Sequence, residues 1–333
     1  MKEKVLSMLK ETDGYVSGQE LCERLSVSRT AVWKAVGQLK EEGYQIEAVK
    51  NRGYRIAAVP DVMTEAEIGS RLTTRVMGHP CICCKETDST NTQAKRLAEE
   101  GKPHGTLVCA EKQTGGKGRR GRAWSSPPGE AIYMSILLKP EIHPAHASML
   151  TLVMGMAAAA ACNEILQQEM GEEAPRVQLK WPNDLVLDGR KVAGILTEMS
   201  AETDYIHYVV IGIGINVNTK SFPEELTATA GSLYQATGRT FLRAELTAKC
   251  MEYFEKYYDM FSETEDFRTL KEEYGKLLVN TGKAVRVLEP GNEYTGTALG
   301  INDRGELLVE KEDGTEAAVY AGEVSVRGVY GYV

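Results

Sequence analysis

The stretch Glu111–Trp124 constrains this chain more than any other. Gly115, Gly116, Gly118 and Gly121 interleave with Lys117, Arg119, Arg120 and Arg122. Glycine lets a backbone reach φ > 0 and approach a ligand closely. Successive N–H groups in such a loop can form an anion-binding concavity. The cations pair with phosphate or carboxylate. Gln113 and Trp124 flank the loop with an amide and a flat apolar ring. On this stretch alone two readings stand level: a loop that closes over a small phosphate-bearing anion, or a solvated basic turn or nucleic-acid patch. Neither standard nucleotide loop applies. No Gly-Lys-Ser/Thr triplet follows these glycines, as the Walker pattern requires. The dinucleotide fingerprint needs a helix directly after its last glycine, whereas Trp124-Ser125-Ser126-Pro127-Pro128-Gly129 reads as a turn.

A chain of 333 residues suggests two or three domains. The net charge of −8 excludes a general polyanion binder. That charge is uneven: residues 1–60 hold ten Lys/Arg and eight Asp/Glu, net +2, which leaves −10 for the rest. The opening residues alternate charge with Val5, Leu6 and Leu9 at helical spacing and are no signal peptide. The longest apolar run, Met149 to Cys162, is shorter than the roughly 20 residues that span a bilayer, so a buried helix and no membrane are expected. Seven cysteines in no framework point to reduced thiols and the cytoplasm. Cys81 and Cys84 form a C-x-x-C, read here as a buried strand with incidental thiols rather than a zinc or redox site.

The first sixty residues carry their own logic. Ser17-Gly18-Gln19-Glu20 is a capping box that opens a helix running to about Leu25. Ser26-Val27-Ser28 is a tight turn, and a second helix runs from Arg29 to about Glu42, stopping at Gly43. Its apolar stripe is Ala31, Val32, Ala35, Val36 and Leu39; Arg29, Thr30, Trp33 and Lys34 fall outside it. Two short helices on a tight turn describe a helix-turn-helix. The following hairpin, tipped by Lys50-Asn51-Arg52-Gly53, is the wing. Ser28, Arg29, Thr30, Trp33, Lys34 and Arg52 are the candidate DNA contacts. A protein-docking module of the same shape is the competing reading. Pro60-Asp61 marks a linker.

Beyond the linker the pattern is mixed. A short helix over Met63–Leu72 is expected, then strands at Cys81–Lys85, Thr106–Glu111 and Ala131–Leu138. A long helix covers Pro144 to about Met170, and strands and hairpins follow from Val177 to Ile215. Long helices against a hairpin-rich sheet make an α+β body rather than βαβ repeats. Helices follow from Thr240 to Lys276. From Thr281 short alternating runs separated by turns, Pro290-Gly291-Asn292 among them, describe a small SH3-like β-barrel. The expected units are a winged helix-turn-helix over 1–60, a central mixed α/β body over 64–278 and a barrel over 280–333.

Four motifs occur in order: Asp88-Ser89-Thr90-Asn91, Gly116-Lys117-Gly118-Arg119-Arg120-Gly121-Arg122, Lys180-Trp181-Pro182-Asn183-Asp184 and Gly189-Arg190-Lys191-Val192-Ala193-Gly194. Together they resemble the biotin–protein ligase family. With the N-terminal module, the whole chain resembles its bifunctional members, which also repress transcription. One departure is Lys117, where the family usually shows Arg; the charge stays but the planar fork is lost.

The resemblance implies ATP-dependent activation of biotin to biotinyl-5′-AMP, then transfer to a lysine of a biotin carboxyl carrier protein such as that of acetyl-CoA carboxylase. It also implies operator DNA as a partner, the adenylate as corepressor, and a ligand-promoted homodimer. Ser89, Thr90, Asn91, Gln113, Lys117, Gly118, Arg119 and Lys191 would face biotin. Arg119, Lys191 and Lys180 would be catalytic. Arg120, Arg122, Trp124 and Asn216 would face ATP or the adenylate, with Trp124 stacking on adenine. Asp184 would hold Mg²⁺. Two other readings remain: a sensor that only binds biotin, and a ligase for a related acid such as lipoate.

Overall fold

The computed structural model describes residues 1–288, 293–321, 325–328 and 332. Helix α1 (Lys2–Glu11) buries Val5, Leu6, Met8 and Leu9. The Ser17 hydroxyl accepts from Glu20 N at 3.0 Å and opens α2 (Gly18–Leu25), which ends where Ser26 turns left-handed at φ 54°. Ser28 caps α3 (Arg29–Glu41) in the same way, accepting from Ala31 N at 3.2 Å. Val32, Ala35, Val36 and Leu39 face inward, while Arg29, Thr30 and Lys34 are exposed and Trp33 is 68% exposed. An exposed indole on a polar helix face is what the outward face of α3 offers a partner.

Strands β1 (Gln45–Val49) and β2 (Gly53–Ala58) form the wing. Gly53 has φ +110°, and a Cβ there would lie 1.9 Å from Val16 O. Only glycine lets β2 begin against that segment, where Val16 and Tyr54 exchange two N–H···O bonds of 2.9 Å.

The linker at Pro60-Asp61 is pinned. Asp61 accepts from Arg243 N and Nε, both at 2.9 Å, and from Asn218 Nδ2 at 3.1 Å. The buried Arg243 guanidinium also reaches Glu111 at 2.8 Å and Ala131 O at 3.3 Å. The next helix, α4 (Glu65–Gly69), is shorter than the expected Met63–Leu72 because Thr64 caps it late, accepting from Glu67 N at 3.2 Å. Glu67 is 1% exposed. It accepts from Lys10 Nζ at 2.6 Å, from Arg71 Nε at 2.7 Å and from the Tyr44 hydroxyl, so one carboxylate ties the N-terminal module to the body.

The body is a seven-stranded sheet of β3 (Cys81–Cys84), β4 (Thr106–Ala110), β5 (Ala131–Leu138), β6 (Gln178–Lys180), β7 (Asp184–Leu187), β8 (Arg190–Ala201) and β9 (Ile206–Asn216), in the order β3-β4-β5-β9-β8-β7-β6. Only β3 and β4 run parallel. Helix α5 (Thr90–Glu99) covers one face. On the other lies α6 (Leu150–Met170), entered through a 3-10 turn at Pro144–Met149 and packed against α8 (Arg243–Thr264). Over Leu150–Cys162 helix α6 is apolar around almost its whole circumference, as a helix sandwiched between a sheet and a helix should be. Counted with its flanking turns it is long and apolar enough to cross a membrane by length and composition alone, and its apolar window is 78% buried within the fold, as expected of a buried core helix.

Short helices α7 (Leu233–Thr237) and α9 (Lys271–Leu277) complete the body. The C-terminal module is a five-stranded antiparallel sheet of β10 (Ala284–Leu288), β11 (Tyr294–Ile301), β12 (Leu307–Lys311), β13 (Glu316–Val319) and β14 (Ser325–Gly328), in the order β13-β12-β11-β10-β14. The expected turn at Pro290-Gly291-Asn292 lies outside the described residues. The module shares the core of the body: Val285, Val287 and Leu307 join the same apolar cluster as α6, and Trp181 Nε1 donates to Gly305 O at 3.0 Å.

Candidate functional site

The site is built where β3 and β4 end and β8 and β9 pass beneath. After β3 the chain runs alongside the segment after β4, bridged at Thr87 and Gln113. Ser89 precedes α5, yet its side chain does not cap the helix. The work of holding this turn falls to Gln113, whose Oε1 accepts from Thr90 N at 2.8 Å and from Thr90 Oγ1 at 3.2 Å. Ser135 Oγ lies 2.7 Å from Thr90 Oγ1 and 2.6 Å from Asn91 Oδ1. Asn91 Nδ2 donates to Glu198 Oε2 at 2.8 Å. The result is a fixed set of neutral donors and acceptors at one end of a cavity.

The floor is glycine. On β8 and β9, Gly194 and Gly214 are register partners, and Gly212 lies two residues before Gly214 on the same face. A Cβ at Gly212 would lie 1.9 Å from Asn91 Oδ1, one at Gly214 2.6 Å from the Trp124 ring, and one at Gly194 2.8 Å from Lys191 Nζ. Trp124 and Lys191 lie across this floor, with the ammonium 5.4 Å from the indole centroid. The cavity they leave holds about 50 Å³, lined by Ser89, Thr90, Asn91, Gln113, Lys117, Gly118, Arg119, Trp124 and Lys191 among others.

The glycine loop folds back on itself. Trp124 N donates to Gly116 O at 2.9 Å and Gly118 N to Arg122 O at 2.7 Å. Arg120 takes φ 58°, which turns the chain at the tip. Arg119 points inward, donating to Asn183 Oδ1 at 2.9 Å and to Ala321 O of the C-terminal module at 3.3 Å. Burial pulls its pKa down, opposed by the nearby Asp184 carboxylate.

A cationic cluster adjoins the cavity through Lys191. Its ammonium lies 2.5 Å from Asp184 Oδ1. That oxygen is buried and accepts no aligned hydrogen bond, while Asp184 Oδ2 accepts from the Tyr332 hydroxyl at 2.5 Å. Lys180 sits under the Tyr332 ring, 3.5 Å from its centroid. Burial lowers the Lys180 pKa to about 8 against the opposing pull of Asp184.

The structure thus brings Ser89, Thr90, Asn91, Gln113, Lys117, Gly118, Arg119, Trp124 and Lys191 to one cavity, with Lys180 and Asp184 beside it. Three residues fall elsewhere. Arg120 and Arg122 are exposed outside the cavity lining. Asn216 is buried and donates to Gly231 O at 3.0 Å. Trp124 lies on the glycine floor between the polar end and Lys191. Sequence reasoning missed Ser135 and Glu198, which bond the motif residues, gave no role to Asn183 within its motif, and did not see the glycine floor. The signal for the floor was present: Gly212-Ile213-Gly214 alternates at the period of a strand, which bares one face.

At the other end of the molecule, Arg29 Nη2 donates to Gln19 Oε1 at 3.0 Å, and Arg52 is exposed at the wing tip. A cleft between α2, α3 and the wing is lined by Ser17, Gln19, Arg29, Lys50 and Arg52 among others.

Residues 83–216 match the model of the biotin/lipoate A/B protein ligase family. Residues 2–55 match an HTH domain and 281–327 a biotin protein ligase C-terminal domain. The chain is 40% identical over 316 residues to the bifunctional ligase/repressor BirA of Bacillus subtilis, covering 94% of each chain. It is 32% identical over 324 residues to the protein of the same name from Escherichia coli, covering 97% of this chain and 96% of that one. The biotin protein ligase of Aquifex aeolicus, solved in complex with biotin and ATP, superposes with a TM-score of 0.64 at 33% identity, covering 74% of this chain and 98% of that one.

Proposed function

The chain belongs to the biotin–protein ligase family, among its bifunctional ligase/repressors, and from that premise we propose that it makes biotinyl-5′-AMP from biotin and ATP, biotinylates a carrier protein, and represses transcription. The observation that carries this is the cavity itself: neutral hydrogen-bonding groups at one end, a glycine floor, and Lys191 at the other end. A ureido ring needs such donors and acceptors in a mostly apolar slot. Its carboxylate arm would then end beside Lys191.

In the first step a biotin carboxylate oxygen attacks the α-phosphorus of ATP, and the bond to the β-phosphate oxygen breaks, releasing pyrophosphate. In the second, a carrier lysine amine attacks the acyl carbon of the adenylate; an amide forms, AMP leaves with the bonding pair, and the amine gives up a proton. Lys191, Lys180 and Arg119 offset the charge that grows on the α-phosphoryl oxygens. Lys117 and the N–H groups of the glycine loop hold the ligand from above. Arg120, Arg122 and Asn216 belong to the adenylate side, Arg120 and Arg122 after the loop turns inward. Trp124 belongs to the adenylate side too, its ring stacking on adenine. Asp184 would hold Mg²⁺, which favours one or two carboxylates beside substrate phosphates; its Oδ1 pairs with Lys191 Nζ at 2.5 Å, a contact the ion would have to share or displace. Bound there, the ion would neutralise phosphate charge.

The division at 1–60, 64–278 and 280–333 assigns operator DNA to the first unit, through Ser28, Arg29, Thr30, Trp33, Lys34 and Arg52. Binding of biotinyl-5′-AMP orders Thr114–Trp124 and favours a homodimer on a two-fold operator. The carrier is the biotin carboxyl carrier protein of a biotin-dependent carboxylase, and the setting is the cytoplasm, which seven unpaired cysteines support. The test is the mass of a biotin carrier domain after incubation with the protein, ATP, Mg²⁺ and biotin. One biotinyl adduct is expected; an adduct only with lipoate would move the chain to the other branch of its family.

A further inference from the structure

The C-x-x-C of the sequence names the wrong pair. Along β3 side chains alternate between faces. Cys84 shares a face with Ile82, toward α5, while Cys81 and Cys83 pack on the opposite side. There they meet Cys109 of β4, the register partner of Cys83. The three Sγ atoms all lie within 4.8 Å of one another, and those of Cys81 and Cys83 are 3.8 Å apart. Thiolates placed tetrahedrally at about 2.3 Å from a Zn²⁺ ion have S···S edges of about 3.8 Å. The protein already holds one such edge. Cys109 is buried, and Cys81 and Cys83 are half-buried at the edge of the same core. Among the described residues this is the one group of three or more such side chains whose ligand atoms lie so close.

We propose that Cys81, Cys83 and Cys109 form a three-thiolate site for a soft d¹⁰ cation, Zn²⁺ with water in the fourth position or Cu⁺ in trigonal coordination. The donor set selects the ion class. Three sulfurs favour thiophilic metals and disfavour Mg²⁺, Ca²⁺ and Mn²⁺, so this site does not compete for the ion assigned to Asp184. Binding converts three thiols to thiolates and releases three protons, so affinity rises with pH. The location is structural as well. From β3 the chain leads on to Ser89, and from β4 to Glu111 and the glycine loop. A bound ion would therefore staple the two parallel strands whose ends carry the two sides of the ligand cavity.

The test uses the full chain, reduced and stripped of metal, titrated separately with Zn²⁺ and Cu⁺ against a chromophoric chelator, with native mass spectrometry to count ions. One equivalent of one of the two ions is expected, together with protection of three thiols from alkylation. Whichever ion binds in competition identifies the occupant. Cys81→Ser and Cys83→Ser should each weaken binding more than about 100-fold, since even an outer partner of a metal ligand costs about 10–100-fold. Cys84→Ser and Cys22→Ser should bind as the natural chain does. Circular dichroism and retained carrier biotinylation show that the variants fold. Unchanged affinity in a Cys81→Ser/Cys83→Ser double variant overturns the site, as does the lack of stoichiometric binding of either ion by the natural chain.

Discussion

At the residue scale, Lys191 and Lys180 make different predictions. Lys191 is ion-paired to Asp184 beside the cavity. Lys191→Ala should lower adenylate formation roughly 10²–10³-fold, the usual cost of losing one group aimed at developing charge. Pyrophosphate release within a few-fold of the natural enzyme would remove Lys191 from the chemistry. Lys180 adds a pH dependence. Burial sets its pKa near 8, and lysine is charged only below its pKa. In the free enzyme kcat/KM for ATP should therefore fall as pH rises through about 8, and Lys180→Gln, uncharged throughout, should lack that limb. For stability the sign reverses. The unfolded lysine keeps its proton to about 10.5, so between the two values the unfolded chain binds more protons and this group lets stability rise with pH. Gly214 tests the floor. Gly214→Ala would press on Trp124, and overpacking of this kind costs about 1–3 kcal/mol. The KM for biotin should rise at least tenfold with the fold retained; an unchanged KM would mean that biotin does not use the floor. The charged residues were legible because four motifs stood in register. Ser135 and Glu198 were not, because each acts through a side chain that only tertiary packing brings near.

At the scale of elements, α2, α3 and the wing were readable from a capping box, an apolar stripe and turn residues. Ser17, Ser28 and Gly53 each stand where the backbone demands that residue type. Their outward face carries Arg29, Trp33 and Lys34. If α3 enters the major groove, operator affinity should fall steeply with salt, and each phosphate contact removed should reduce the log–log slope by about 0.9. Arg29→Ala and Lys34→Ala should show this in a DNA titration while carrier biotinylation stays within a few-fold. Loss of both activities together would contradict the division of labour between the two units. The 3-10 entry of α6 and the shortness of α4 were less legible. Both are set by what flanks them: a 3-10 entry turn in one case, a late threonine cap in the other.

At the scale of the whole molecule, the linker turns out to be joinery. Arg243 binds Asp61 of the linker and also Glu111 at the root of the glycine loop. A ligand that orders the loop therefore acts on a residue sharing a guanidinium with the tether of the DNA module. Biotin plus ATP should raise both dimer mass in sedimentation and operator affinity, and an unbiotinylated carrier should lower both by consuming the adenylate. Equal affinity with and without ligand would uncouple the two activities. Glu67→Ala should cost about 3 kcal/mol in denaturant unfolding, as breaking a buried charge pair does; a change within a few tenths would mean that the contacts carry no energy. None of this was visible in a Pro60-Asp61 that reads as an ordinary hinge. A blade through residue 62 would accordingly not yield two finished proteins. The severed body would keep Glu67 and Arg71 but lose Tyr44 and Lys10, and the apolar side of α1 that now covers Ala66 would leave a bare scar on each fragment. Exchanging the DNA-reading module between species is for the same reason a graft, and it takes only where the stock carries a matching Glu67 and the scion its own tyrosine and lysine.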